Sequence, residues 1–394
     1  MSEHQVLARK YRSQSLDELV GQEVLVTTLA NAIKQNRLAH AYLFTGIRGV
    51  GKTSTARILA KSLNCVGADG SATVPQVKPC GTCGHCVAIA ESRHMDVIEM
   101  DAASHTGVDD IREIIEGAKY KPTSARFKVY IIDEVHMLSK SAFNALLKTL
   151  EEPPPFVKFI FATTEIRKVP ATILSRCQRF DLARIPQADL ARHLRRIADL
   201  EGVEIDDEAI GVIAKVADGS ARDSLSFLDQ AIANCDGTIT ADKISASLGL
   251  AGKGVAFDIF EAVIGGDMSA VGKSLDVLRA SSAEPSLLLA DLLEITHYIT
   301  RVKLANGMER TLPLTPDEQK KIAAFAGKLS IAQLARIWQM LVKGFTELPI
   351  APSESAALEM ILIRVAYAGL LPTPAEILAK VESETSGEVQ KKNN

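Results

Sequence analysis

Short, largely apolar runs punctuate the first half of the chain, each followed by a polar turn and then by apolar residues at helical spacing. The runs AYLF at 41–44, VIEM at 97–100, VYII at 129–132 and KFIFA at 158–162 have the length and the β-branched or aromatic content of buried strands. Between them, 53–63, 109–118 and 141–150 carry apolar residues three and four apart, the spacing of one helix face. Strands alternating with helices across short turns predict a parallel α/β sheet. Pro153, Pro154 and Pro155 must end the last of these helices, because proline cannot donate the next backbone hydrogen bond.

From about 185 the strand signals fade. Residues 186–248 read as a small helical domain broken at Gly202, Gly219 and Gly237, and 250–371 as long Ala/Leu/Ile-rich helices punctuated by Pro285, Pro313 and Pro316. The polar, charged stretch 380–394 predicts disorder. The expected division is therefore 1–182 α/β, with an insertion at about 64–88, then 183–248 and 249–372 all-helical, and 373–394 a polar tail.

Composition adds three constraints. The 394 residues suit two or three domains, and aromatics at 5% leave the hydrophobic mass to residues that favour helices. No apolar run reaches bilayer-spanning length and the N-terminus MSEHQVLARKYR has no signal-peptide apolar stretch, so the expected compartment is the cytoplasm, with no membrane partner. A net charge of −3 means that any nucleic-acid contact must use a local patch or a surface shared with partner subunits.

The chemistry starts at Gly46-Ile47-Arg48-Gly49-Val50-Gly51-Lys52-Thr53, followed by Ser54, which fits GxxxxGK[ST] between a strand and a helix. There the glycines let backbone N–H groups wrap phosphates, the helix N-terminus adds positive potential, Lys52 pairs with phosphate oxygens and Thr53 offers its hydroxyl to Mg²⁺. The alternative is a glycine-rich turn that matches by chance. Asp133 and Glu134 end the third strand run, where ligands of open α/β sheets gather. Asp133 suits the Mg²⁺ shell and Glu134 suits polarising a water, against the alternative of a solvent-facing polar strand end. His136 is expected to pack or hydrogen-bond beside the two acids.

Cys80, Cys83 and Cys86 form two overlapping CxxC turns, with Cys65 upstream. Four thiolates this close suit a closed, structural Zn²⁺ site. A Cys83–Cys86 redox pair, or His85 in place of one cysteine, are the alternatives. The insertion has little apolar content, so the metal would supply much of its folding energy.

KVYIIDEVHMLSKSAFNALLKTLEE at 128–152, ILSRC at 173–177, VGQE at 20–23, DAASHTGVDDIR at 101–112 and DGSARD at 218–223 together resemble the tau/gamma family of bacterial DNA polymerase III subunits, over roughly residues 5–235 and more loosely beyond 250. That resemblance implies an AAA+ module, meaning a P-loop α/β domain with a zinc knuckle and a helical lid, followed by a helical collar. It implies ATP hydrolysis that opens the β sliding clamp and sets it on primed DNA, in a ring with delta-type and delta-prime-type subunits and further copies of the chain. By the same resemblance Thr164 is sensor 1, Arg176 an arginine finger acting in trans, and Arg222 sensor 2. Arg112 and Lys148 would present basic groups to DNA phosphates, giving sequence-independent, salt-sensitive binding. His105 stands where an arginine is common, and Ser13 where a proline is. The chain ends soon after the collar, like a short gamma-type form or a truncated piece, without the extensions through which tau reaches polymerase core and helicase. The rival readings are another AAA+ DNA motor, such as a helicase or branch-migration protein, and a non-catalytic ring scaffold. The four-cysteine insertion and the SRC motif count against the first, and intact Lys52, Thr53 and Glu134 against the second.

Overall fold

The computed structural model describes residues 6–104, 106–235, 237–247, 252–280, 284–304, 316–369 and 371. His105, Pro313 and the expected disordered tail at 373–394 lie outside the described residues. The chain divides into two compact units, Met1–Ile244 and Ser245–Asn394.

The first unit is built on five parallel strands: β1 Ala41–Thr45, β2 Val97–Asp101, β3 Lys128–Asp133, β4 Val157–Thr163 and β5 Gln178–Asp181, in the order β2-β3-β4-β1-β5. β1 and β4 are buried along their whole length, as strands covered on both faces must be. The first four coincide with the apolar runs of the sequence. β5 does not, because an edge strand needs only one inward side chain: Phe180 is buried while Gln178, Arg179 and Asp181 are not.

The helices follow the same logic. α1 spans Leu7–Lys10, α2 Glu23–Lys34, α3 Lys52–Asn64, α4 Gly84–Ala90, α5 Val108–Ala118, α6 Lys140–Glu151 and α7 Ala171–Leu174. α5 and α6 lay Ile111, Ile114, Ala142, Phe143 and Leu146 on one apolar core with the sheet residues Tyr130, Phe159 and Phe161. α6 stops at Glu151, just before the three prolines. The VGQE segment is fixed by a reciprocal amide pair: Gln22 Nε2 donates to Ala183 O at 2.8 Å and Ala183 N donates to Gln22 Oε1 at 3.2 Å.

Beyond β5 the unit is helical, with α8 Gln187–Glu201, α9 Asp207–Val216, α10 Ala221–Asn234 and α11 Ala241–Ser247. Gly202, Gly219 and Gly237 all take positive φ between these helices, at the breaks that the sequence predicts.

The second unit comprises, among the described residues, α12 Gly252–Gly265, α13 Met268–Ala280, α14 Pro285–Leu304, α15 Pro316–Lys328, α16 Ile331–Glu347 and α17 Glu354–Arg364. Pro285 and Pro316 are the first residues of their helices, where the missing N–H costs no bond. Leu289, Leu292 and Ile299 of α14 pack with Ile337 and Leu341 of α16 in the core of this unit. Ser330 and Gln333 close a reciprocal capping box at the start of α16.

Candidate nucleotide site and four-cysteine cluster

β1 delivers the chain into a loop that only glycine-rich sequence can form. Gly46 lies at φ 147°, and a Cβ there would meet Leu182 O at 2.8 Å. Gly49 lies at φ 76°, and a Cβ there would run into Ser220 Oγ at the cap of α10. Ser220 and Arg222 thus sit directly on the loop, and Arg222 N donates to Gly49 O at 3.1 Å. Ile47, Arg48 and Val50 fill the loop between the glycines, and Lys52, Thr53 and Ser54 form the first turn of α3, whose N-terminal N–H groups have no partners within the helix. Lys52 is buried, and its Nζ donates to Gly46 O at 3.0 Å and Ile47 O at 2.9 Å. Burial lowers its pKa, opposed by the nearby carboxylates of Glu134 and Asp133.

Three strand ends meet beside this loop, because β3, β4 and β1 are adjacent and parallel. Thr53 Oγ1 donates to Asp133 Oδ2 at 2.5 Å, joining residues eighty positions apart at one point. Glu134, the next residue, takes φ 44° and its Oε2 accepts from Thr164 N at 3.2 Å and Thr164 Oγ1 at 3.0 Å. His136 Nδ1 lies 2.9 Å from Thr163 Oγ1 and 3.4 Å from Glu134 Oε2, so it hydrogen-bonds beside the acids. The loop, Asp133, Glu134, Thr164 and the backbone of Arg222 are therefore brought together.

Arg12 was not singled out by sequence reasoning, which had no spacing to connect it to the loop. Its guanidinium is held below its ordinary pKa by burial and by Arg57 and Arg222, with Glu99 opposing. Arg57 makes a bidentate pair with Glu99, at 2.7 Å for both bonds, while Arg222 and Arg9 still repel the Arg12 guanidinium. A site so arranged attracts polyanions.

Arg176 is elsewhere. It precedes β5, pairs with Glu151 Oε1 at 2.5 Å and donates to Thr172 O at 2.7 Å. Arg112 is exposed on α5 and pairs with Asp109 at 2.7 Å, and Lys148 is exposed on α6.

The cysteines converge as their spacing implies. The sulfurs of Cys65, Cys80, Cys83 and Cys86 all lie within 4.8 Å of one another, with Cys80 and Cys86 4.0 Å apart. Tetrahedral metal–sulfur bonds of about 2.3 Å put sulfurs about 3.8 Å apart, so the donor set fits such an ion. Backbone N–H groups point at the sulfurs: Gly67 and Cys80 donate to Cys65, at 3.4 and 3.3 Å, and Cys83 donates to Cys80 at 3.2 Å. Burial pushes the Cys80 thiol up, but the N–H groups of Cys83 and Thr82 outweigh it and bring the thiol down to about 6. His85 lies outside the group, with Nδ1 2.8 Å from His94 Nε2. Arg126 locks the insertion to the core through Leu63 O, Ala72 O (2.9 Å) and Thr73 O (3.1 Å). Asn64 adds a reciprocal amide pair with Phe127, at 3.0 and 2.8 Å.

Residues 21–186 match the family described as DNA polymerase III, delta subunit, residues 189–237 the DNA polymerase III clamp loader subunit, ATPase lid domain, and residues 239–381 the DNA polymerase III subunits gamma and tau domain III. DNA polymerase III subunit gamma of Buchnera aphidicola subsp. Schizaphis graminum is 38% identical, over 92% of this chain and 98% of that protein. The chain belongs to the tau/gamma family of DNA polymerase III clamp-loader subunits. Two longer tau/gamma proteins agree: the tau/gamma subunit of Haemophilus influenzae is 44% identical over 92% of this chain, and the tau subunit of Escherichia coli 41% over 94%. The chain spans about half the length of these two, 51% and 57%. In tau/gamma terms the five-stranded core with its four-cysteine cluster is the AAA+ module, followed by the helical lid and helical domain III. Among the described residues no helix is long and apolar enough to cross a membrane.

Proposed function

We propose that the chain binds and hydrolyses ATP within a DNA polymerase III clamp loader, using the cycle to open the β sliding clamp and set it on primed DNA. Its neighbours in the ring are delta-type and delta-prime-type subunits and further copies of itself, in the cytoplasm; polymerase core and helicase join where a longer form exists. The domains are the α/β module 1–182, the lid 183–248 and the collar 249–372.

Gly46–Gly51 and the N–H groups at the start of α3 cradle the phosphates, and Lys52 exchanges the loop carbonyls for phosphate oxygens. Thr53 and Asp133 would hold Mg²⁺, which would supply charge neutralisation for the phosphates. Glu134 polarises the attacking water and takes its proton, Thr164 holds the far side of that carboxylate, and Arg222 ties the lid to the phosphates. Zn²⁺ on Cys65, Cys80, Cys83 and Cys86 has a structural role. Arg112 and Lys148 meet DNA phosphates, independently of sequence.

The observation that carries the reading is topological. β1 and β5 run parallel with Tyr42 opposite Gln178 and Thr45 opposite Asp181. The P-loop leaves the C-terminal end of β1, whereas Arg176 stands before the N-terminal end of β5. At roughly 3.3 Å per residue, more than about 10 Å of strand separates the two ends. Held by Glu151 and Thr172 at the opposite strand end, Arg176 stands away from its own chain's loop, which supports a role toward a neighbour's, in a head-to-tail contact of the kind that builds rings and spirals. A finger arginine is worth roughly 10³–10⁵ in rate, so hydrolysis becomes conditional on assembly.

The test is ATP turnover as partner subunits, β clamp and primer-template are added in turn. Turnover should rise most with clamp plus primer-template and fall to background in Lys52→Ala. Stimulation by long duplex or forked DNA alone would favour another DNA motor, and turnover untouched by Lys52→Ala would favour a scaffold subunit.

A further inference from the structure

His136 is buried, with 6% of its side chain exposed, yet its ring meets polar atoms at both nitrogens. Nδ1 faces Thr163 Oγ1 at 2.9 Å and Nε2 faces Glu165 Oε1 at 3.4 Å. Thr163 Oγ1 also accepts from Glu165 N at 3.0 Å, and with one proton and two lone pairs it can bond Nδ1 as donor or as acceptor. Either neutral tautomer therefore ties Nδ1 to Thr163, while Nε2 faces the Glu165 carboxylate. Lys168 holds that carboxylate from its other side, at 2.7 Å.

The turn that His136 anchors is the one bearing Glu134. At φ 44° Glu134 occupies left-handed backbone that a residue with a Cβ adopts at a cost, and such a conformation persists only where its surroundings over-determine it. Two tethers do so here, both from the end of β4. Thr164 grips the carboxylate directly, and Thr163 grips the turn through His136, two residues further on. The Thr164 tether lies on the carboxylate itself, so it must slacken when Glu134 turns to a water. The shorter His136–Thr163 bond can persist through that swing, even though Nδ1 also lies 3.4 Å from Glu134 Oε2.

We propose that His136 is a positioning residue for ATP hydrolysis: its Nδ1 bond to Thr163 holds the strained Glu134 turn in register with the end of β4, so that the carboxylate swings without its backbone moving. The proposal rests on Glu134 acting on the water, and it assigns His136 no contact with nucleotide or metal. A misplacement of about 1 Å costs on the order of 10²-fold in rate, and that is the loss expected when the tether is removed.

The experiment measures kcat and ATP affinity for His136→Leu, His136→Asn and His136→Gln in the complex assembled with partner subunits, clamp and primer-template. Leucine fills much of the imidazole's space without polar atoms; asparagine puts an amide atom near Nδ1; glutamine reaches toward Nε2 instead. His136→Leu should lose about 10²-fold in kcat with ATP affinity unchanged, asparagine should restore most of it, and glutamine should not. Wild-type turnover in His136→Leu, a parallel loss of ATP affinity, or rescue by glutamine in place of asparagine would each overturn the proposal. Should the leucine variant fail to fold, the asparagine–glutamine contrast decides alone. The ¹⁵N shifts of His136 in the full chain give a readout independent of turnover. The Nδ1 shift should move on Thr163→Val, which removes its hydroxyl partner, and a shift indifferent to that substitution overturns the proposal. If the wild-type complex itself fails to hydrolyse ATP, the functional reading falls, while the ¹⁵N shifts still test the tether.

Discussion

Asp96 shows how a single residue outside the phosphate site can govern it. It is buried just before β2, and its carboxylate accepts from the N–H groups of Thr123 (2.7 Å), Ser124 (2.8 Å) and Ala125 (2.9 Å), fixing the loop that leads into β3 and hence to Asp133 and Glu134. Burial alone would raise its pKa, but these N–H groups together with the Ser124 hydroxyl outweigh burial and hold it below the usual carboxylate range. A carboxylate with a depressed folded pKa contributes stability that is complete above its unfolded value and is lost as pH falls through the folded one. Asp96→Asn should therefore cost about 1–3 kcal/mol near neutral pH, and the gap from wild type should close below about pH 4. Urea unfolding of both proteins across that range measures it; a gap independent of pH would contradict the assignment. At this scale, local motifs were legible in the sequence and long-range partners were not. The eight residues 46–53 announce a phosphate loop because their chemistry is contiguous. The bond of Thr163 to His136 and the lid contact at Gly49 join residues 27 and 171 or more positions apart, and no spacing rule reaches that far.

At the scale of elements, the apolar runs gave four of the five strands because those four lie inside the sheet or carry enough apolar side chains to be recognised alone. β5 was hidden because Phe180 is its only buried residue. The insertion between α3 and α4 has the opposite character: its cysteines were obvious and its packing was not. Apart from the cysteines, its attachment is largely polar, through Arg126 and Asn64. A segment held in this way would depend on a bound metal. Stripping the chain with a strong zinc chelator, or substituting Cys86→Ser, should raise hydrogen exchange across 65–90 while the backbone of β1, β3 and β4 keeps its protection. Zinc content should fall from one per chain in parallel. Unchanged exchange in a zinc-free chain would show that the cluster is not what holds the insertion.

For the molecule as a whole, the structure brings most of the proposed site residues together within one chain and sets Arg176 apart from them. The loop, both acids, Thr164 and the start of α10 assemble in the first unit, while Arg176 stands at the far end of the same sheet. The role proposed for Arg176 rests on the SRC motif; its separation from the chain's own loop required the register of β1 against β5. The central claim is that the phosphate site is completed by a second copy or partner. It is tested most directly by mixing two defective forms of this chain, Lys52→Ala and Arg176→Ala, without other subunits, and measuring ATP turnover. Each form alone should be at background, and the mixture should regain activity, because the intact loop of one copy meets the intact arginine of the next. Full turnover by Arg176→Ala alone, or no recovery on mixing, would contradict the claim.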